Sequence, residues 1–207
     1  MTSSKPTNDY YYDVFVSYAR HNRVGTWVQD CFLELLEEYL KPALGYSPQI
    51  FIDTRSIPAG SAWPLEIQTA LSHSKCLVAI LSIDYFYSNW CMKECHTMLA
   101  RERVEGFRTP ANTDGLVLPI VTRDDRYHPN YIKNIQSADF SKYVRREEAF
   151  VKSARYMEFE DEMEQWTKQV ADAVRKAPLW KDSWPSEKDI EIPEFKVLEF
   201  NSKPQIG

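Results

Sequence analysis

Residues 76–82, CLVAILS, are apolar at nearly every position, and this run constrains the fold more than any other segment. A strand that faces water on one side alternates apolar and polar residues, whereas a strand covered on both faces is apolar throughout. Residues 11–18, 49–53 and 115–121 form similar short runs, and residues 137–140 form a weaker fifth one. The pattern predicts a central, mainly parallel five-stranded sheet with the run at 76–82 in its middle.

Segments with helical periodicity lie between these runs. Residues 27–40 carry an apolar helical stripe, which Pro42 is expected to end. Ser88 is placed to cap a helix over residues 89–105, and a last stripe predicts a helix over residues 159–176. Strands that alternate with helices give an α/β fold with helices on both faces of the sheet. Ligands of such folds bind beyond the carboxyl ends of the strands.

The composition narrows the classes of partner. The chain has 207 residues and a formal net charge of −5, without a cluster of Lys and Arg. We therefore expect no nucleic acid and no membrane among its partners. No stretch approaches the roughly 20 apolar residues that span a bilayer, and residues 1–8 lack the apolar segment of a secretory signal. These features predict a cytoplasmic protein.

The four cysteines do not form CxxC pairs. We expect free, mostly buried thiols in a reducing compartment. Zinc ligation by Cys91, Cys95 and His96 is the alternative, but their spacing departs from that of zinc sites, so no metal is expected.

Three motifs follow one another at natural spacing: YDVFVSY at residues 12–18, FIDTRSIPAGSAWPLEI at 51–67 and ILSIDYFYSNWCMKE at 80–94. A fourth short piece, ADF, stands at residues 138–140. Together they closely resemble the strands and following loops of the Toll/interleukin-1 receptor (TIR) domain family. The resemblance implies a flavodoxin-like three-layer sandwich.

The resemblance also suggests how the chain is divided. It covers residues 10–177, so this segment is expected to be the TIR domain. Residues 1–9 are expected to be a disordered lead. Residues 178–207 read as a C-terminal appendage that packs locally or meets a partner, with exposed tryptophans, and the domain is expected to fold without it.

Many members of this family hydrolyse or cyclise NAD⁺, whereas others, mostly animal receptor and adaptor domains, only assemble. Enzyme members carry the glutamate of a W-x-x-x-E motif, which is matched here by Trp90 and Glu94. The match implies the bacterial-type NAD-cleaving branch, with Glu94 as the catalytic residue. Resemblance to stand-alone bacterial members implies a role in immune or antiphage signalling, with activation by self-association or by a separate sensor or effector protein.

The chemistry of NAD⁺ is compatible with a single carboxylate. Nicotinamide starts as a pyridinium and leaves as a neutral molecule, so no general acid is required. Glu94 would stabilise the oxocarbenium-like charge that develops on the ribose. Trp90 precedes Glu94 by one helical turn, so both side chains face the same way. NAD⁺ is then the substrate, and no cofactor is expected.

Each assignment has a structural alternative. Glu94 could be a solvated carboxylate paired with Arg101, and Trp90 could belong to the core. Arg20 could bind a phosphate as a planar fork or form a surface ion pair. Related enzymes often place a basic residue directly after the aromatic residue of the first motif. Ala19 fills that place here, and by this position it is expected, with Arg20, among the substrate-binding residues.

The remaining candidate residues follow the first two strands. Tyr18, Asp53 and Trp63 are expected near the substrate, although Asp53 could bond within its own loop and Trp63 could anchor that loop. In related domains the loop that corresponds to residues 55–63 contacts a neighbouring copy of the domain. Ile57 and Pro58 are therefore expected at an oligomer interface.

Three other functions are compatible with a chain of alternating strands and helices. A non-enzymatic TIR scaffold that signals by assembly alone stays open as the alternative. A phosphate-accepting receiver domain needs an acidic pair after its first strand, where this chain has Tyr18, Ala19 and Arg20. A Rossmann dehydrogenase needs G-x-G-x-x-G at that place, and the chain lacks this motif.

Overall fold

The computed structural model describes residues 9–20, 22–53, 65–123, 128–145 and 148–193. Within these ranges one parallel sheet has the order β2-β1-β3-β4-β5. Its strands are β1 (Tyr12–Tyr18), β2 (Ile50–Ile52), β3 (Ser74–Leu81), β4 (Val117–Val121) and β5 (Ala138–Asp139). The sequence prediction of a parallel sheet with the 76–82 run at its centre is confirmed.

Helices connect the strands, as predicted. They are α1 (Arg23–Trp27), α2 (Leu33–Leu44), α3 (Leu65–Ser72), α4 (Ile83–Tyr87), α5 (Asn89–Val104), α6 (Asn130–Lys133), α7 (Glu148–Val151) and α8 (Ala154–Lys176). A π-helical turn, Val28–Phe32, joins α1 to α2. None of the described helices is both long and apolar enough to cross a membrane.

The core lies on both sides of β3. Every residue from Cys76 to Leu81 is fully buried, which requires cover on both faces because successive side chains of a strand point in opposite directions. Helix α8 contacts β3 and packs along α2, while α5 contacts β1, β3 and β4. The predicted stripe of α8 is buried at Phe159, Met163, Trp166, Val170 and Val174. The chain therefore adopts the flavodoxin-like α/β fold that was expected.

The expectation that Pro42 ends its helix is wrong. Helix α2 continues through Pro42 to Leu44 and ends at Gly45, which has a φ of 83° and donates its N–H to the carbonyl of Lys41. A proline removes one helical hydrogen bond, and in the last turn that loss is small. The left-handed glycine, which has no Cβ to clash, is the residue that ends the helix.

The expectation that the tryptophans of the appendage are exposed is wrong. Trp184 is 8% exposed; its ring lies 4.1 Å from the guanidinium carbon of Arg101, and its Nε1 donates to Glu105 at 2.7 Å. Trp180 is half-buried and donates to the carbonyl of Ser72 at 3.1 Å. Residues 178–193 thus pack beside the carboxyl ends of α3 and α5.

Glu102 joins the carboxyl end of α5 to the start of β4. It is 2% exposed, and its Oε1 accepts the backbone N–H groups of Leu116 at 2.5 Å and Val117 at 2.7 Å. Its Oε2 accepts Nε of Arg108 at 2.7 Å. An ionised carboxylate with several donors is a stable arrangement in the interior, whereas donors left without an acceptor are costly.

We expect Glu102→Gln to lower the free energy of unfolding by about 3 kcal/mol, because the neutral amide cannot serve all of these donors. Urea denaturation monitored by circular dichroism measures the change. Glu164→Gln is the matched control, since Glu164 is an exposed carboxylate on α8 whose ion-pair partner among the described residues is the exposed Lys168. Equal stability of the two variants would contradict this role for Glu102.

Candidate functional site

A cavity of about 320 Å³ opens at the carboxyl ends of the strands, where ligands of α/β sheets bind. The end of β1, the residue after β2 and the helices that follow β3 all contribute to it. Its lining consists of Phe15, Val16, Tyr18, Ala19, Arg20, Asn22, Asp53, Asp84, Ser88, Trp90, Cys91 and Glu94.

Six residues that the sequence placed near a substrate line this one cavity: Tyr18, Ala19, Arg20, Asp53, Trp90 and Glu94. They come from three separate segments, and the parallel topology brings the segments together. The other three predictions, Ile57, Pro58 and Trp63, lie outside the described residues.

Glu94 lies in the second turn of α5, which begins where the hydroxyl of Ser88 accepts the N–H of Cys91. It is 7% exposed, and Oγ of Ser17 donates to its Oε2 at 2.5 Å. Arg101 is not its partner, because that guanidinium donates to carbonyl groups, among them Ser74 at 2.8 Å. Glu94 is therefore a buried carboxyl group and not a solvated one.

Burial raises the pKa of Glu94 to about 8, because the ionised form loses contact with water. The hydrogen bond from Ser17 lowers the pKa, Asp53 raises it and Arg20 lowers it, all by less than the burial raises it. A carboxyl group that titrates near neutral pH in a cavity is typical of functional sites.

Trp90 contacts both the hydrophobic core and the cavity. Its ring is half-buried and packs against the hydrophobic core, and it also lines the cavity. The core alternative and the substrate alternative are thus compatible. Tyr18 is 7% exposed, and its hydroxyl accepts a hydrogen bond from Gln29. Burial raises the pKa of Tyr18, so the phenol is neutral at physiological pH.

Arg20 and Asp53 form an ion pair inside the cavity wall, with Nη2 and Oδ2 3.3 Å apart. The two side chains are only 20% and 10% exposed. The ion pair of Arg20 is therefore largely buried, in contrast to the surface ion pair that was the structural alternative for this residue. The buried Nη1 of Arg20 makes no hydrogen bond among the described residues.

The sequence assigned no substrate role to Asn22 or Asp84, which are hydrogen-bonded to each other at 2.5 Å in the cavity lining. Asn22 also caps α1 by accepting the N–H of Gly25 at 2.9 Å. Their position within a few residues of the carboxyl ends of β1 and β3 is the signal that could have identified them. Polar residues there face the same edge of the sheet.

The structure gives no support to zinc ligation. Cys91 and Cys95 are buried free thiols, and Nε2 of His96 lies 3.1 Å from the hydroxyl of Tyr131. The described ranges contain no group of three or more His, Cys, Asp or Glu side chains suited to a metal ion.

The TIR domain family model matches residues 14–154 of this chain. No curated protein matches it in sequence. Among solved structures, the TIR domain of the Toll-related receptor TRR-2 from Hydra magnipapillata is 19% identical with a TM-score of 0.45, and the match covers 73% of this chain and 98% of that one. The TIR domains of the activated Roq1 resistosome, which directly recognizes the pathogen effector XopQ, are 20% identical with a TM-score of 0.39, and the match covers 80% and 85% of the two chains. Because the family model spans more than half of the sequence, the chain belongs to the TIR domain family.

Proposed function

We propose that this protein is an NAD⁺ nucleosidase that cleaves the bond between nicotinamide and ribose, with Glu94 as its catalytic carboxylate. The observation that carries the proposal is the burial of Glu94 in the wall of the cavity, which raises its pKa to about 8. The products would be nicotinamide and either ADP-ribose or a cyclic isomer of ADP-ribose.

The reaction requires one fixed negative charge beside the ribose. As the bond to the ribose carbon breaks, its electron pair goes to the pyridinium nitrogen, and nicotinamide leaves neutral. Positive charge develops on the ribose until water or a nucleophilic atom of the substrate attacks the same carbon. A carboxylate held beside that carbon stabilises the transition state more than the ground state. Glu94 supplies this charge without a cofactor.

The raised pKa of Glu94 fits a cationic substrate. In the empty cavity the carboxyl group is mostly protonated at pH 7 because its pKa is about 8. A pyridinium, or the positive charge that develops on the ribose, lowers the pKa of a neighbouring carboxyl group. Substrate binding would therefore favour the ionised form that the reaction uses.

The other lining residues suit the remaining parts of the substrate. The cavity volume of about 320 Å³ is at the lower end of the range for small-molecule sites. Trp90 would pack against the nicotinamide or the ribose. The guanidinium of Arg20, which lines the cavity, would meet a phosphate oxygen. Tyr18, Ala19 and Asp53 would surround the ribose.

We further propose that the chain belongs to the bacterial-type NAD-cleaving branch and signals from the cytoplasm in immune or antiphage defence. Ile57, Pro58 and Trp63 are proposed to act in self-association or substrate contact. A separate sensor or effector protein would regulate the activity. Signalling by assembly alone is the alternative function.

Glu94→Gln should abolish most nicotinamide release, by about 10²–10³-fold or more, because the amide keeps the size and the hydrogen bond from Ser17 but removes the charge. Chromatography of nicotinamide after incubation with NAD⁺ measures the rate. Glu164→Gln, which removes an exposed charge on α8, should keep wild-type activity.

A Glu94→Gln protein that turns over NAD⁺ at the wild-type rate would contradict the catalytic assignment. A wild-type protein that is inert at high concentration, while folded and assembled, would favour assembly alone. Mass spectrometry of the product separates linear from cyclic ADP-ribose.

The dependence on pH follows from the same group. For the free protein, kcat/KM for NAD⁺ should rise about tenfold per pH unit below pH 8 and level off above it, since only ionised Glu94 acts.

The contribution of Glu94 to the free energy of unfolding should change with pH in the opposite direction. Between pH 4.5 and 8 folded Glu94 holds a proton that the unfolded chain has lost, so its contribution to stability falls as pH rises through that window.

Urea denaturation at pH 6 and pH 8 tests the stability part, with Glu94→Gln as the variant that lacks the titrating group. The wild type should lose more stability than the variant between these two pH values. Identical losses would show that Glu94 does not hold a proton in the folded state.

Specific activity should rise with protein concentration, because the exposed apolar side chains expected at Ile57 and Pro58 are stabilised when another copy covers them. Charged residues at both positions should flatten the rise. Rates at a series of concentrations, paired with light scattering, measure the effect. A monomeric protein with constant specific activity would contradict self-association.

A further inference from the structure

Three buried side chains form a hydrogen-bonded chain behind the cavity. The hydroxyl groups of Tyr85 on α4 and Ser17 on β1 are 2.9 Å apart, and Ser17 donates to Oε2 of Glu94 at 2.5 Å. The exposed fractions of these residues are 0%, 1% and 7%. The chain thus joins Glu94 to two other elements of the fold.

The direction of the protons is fixed when Glu94 is ionised. A carboxylate can only accept, so the single hydroxyl hydrogen of Ser17 is committed to Oε2. The oxygen of Ser17 is then an acceptor, and the phenol of Tyr85 donates to it. Hydrogen bonds in such a series strengthen one another. Oε1 of Glu94 accepts no hydrogen bond from the described residues.

The titratable groups that surround the buried side of Glu94 are neutral, so they do not stabilise its ionised form. The neighbouring thiols of Cys91 and Cys95 and the phenol of Tyr85 have pKa values raised by burial, so all three are neutral at physiological pH. The described charged groups that share the cavity with Glu94 are Arg20, Asp53 and Asp84, on its open side. On the buried side, the hydroxyl chain is therefore what stabilises the ionised form.

We propose that Ser17 and Tyr85 are positioning residues for Glu94. They hold Oε2, so that Oε1 is directed to the ribose, and they favour ionised Glu94 over its protonated form. This inference rests on the proposed NAD⁺ cleavage for its kinetic consequence, but not for its effect on the carboxyl group itself.

Two residues of the same types provide matched controls because their hydroxyl groups serve only the fold. Ser74 is fully buried at the start of β3 and donates to the carbonyl of Ala70 at 2.6 Å. Tyr143 is 1% exposed and bonds to Glu162 on α8 at 2.6 Å. Neither residue lines the cavity.

The pKa of Glu94 is measured directly by NMR on protein with ¹³C-labelled glutamate carboxyl groups, with Glu94→Gln used to assign the signal. Ser17→Ala should raise this pKa by about one pH unit, the size expected for a hydrogen bond to a charged group. Tyr85→Phe should raise it by a smaller amount. Ser74→Ala and Tyr143→Phe should leave it unchanged.

Kinetics give the second readout. Ser17→Ala should lower kcat/KM for NAD⁺ about tenfold at neutral pH, and should move the acidic limb of the kcat/KM pH profile upward by the same pH unit. Folded Ser17→Ala protein with the wild-type pKa of Glu94 would overturn the proposal. If the wild type does not cleave NAD⁺, the NMR titration still decides this point, so the two failures are distinguishable.

Discussion

Helix α5 places Glu94, Arg101 and Glu102 in the interior, and the hydrogen bonds that these side chains need fix the elements around the helix. Burying a charged or polar group costs much free energy unless hydrogen bonds replace those that it made to water. Glu102 therefore holds the start of β4, and Arg101 holds the turn between α3 and β3 through the carbonyl groups of Leu71, Ser72 and Ser74. Glu94 reaches β1 through Ser17.

The two glutamates show how differently the structure can compensate a buried carboxyl group for the loss of water. Glu102 receives two backbone N–H groups and a guanidinium, which together replace the water it has lost. Glu94 accepts a hydrogen bond from one hydroxyl group, that of Ser17, and is itself part of the cavity wall. Its burial is poorly compensated, and this is why its pKa is high. An acid left in that condition is ready to respond to a cation that enters the cavity.

Sequence periodicity predicted the features that depend on which face of an element is buried. The apolar run of β3 and the stripe of α8 are examples. The rule that ligands bind beyond the carboxyl ends of parallel strands, together with the matched motifs, placed Arg20, Trp90 and Glu94 near one site, and all three line one cavity. The partners of buried polar groups could not be predicted in this way. The acceptors of Arg101 are backbone carbonyls, which every residue carries, so no sequence pattern marks them. The burial of Trp184 could not be predicted either, because its segment has no apolar periodicity.

The residues just before β1 and the appendage meet at one corner of the domain. The hydroxyl of Tyr10 donates to the carbonyl of Pro178 at 2.8 Å, and its ring lies 6.0 Å from that of Trp184. This corner is at the amino-terminal edge of the sheet, where Tyr12 pairs with Ser74, whereas the cavity opens at the carboxyl edge. A fluorophore or fused protein attached near either residue 10 or residue 178 would thus start from the same point, on the far side of the sheet from Glu94, and would report the orientation of the domain without obstructing the entry of a ligand.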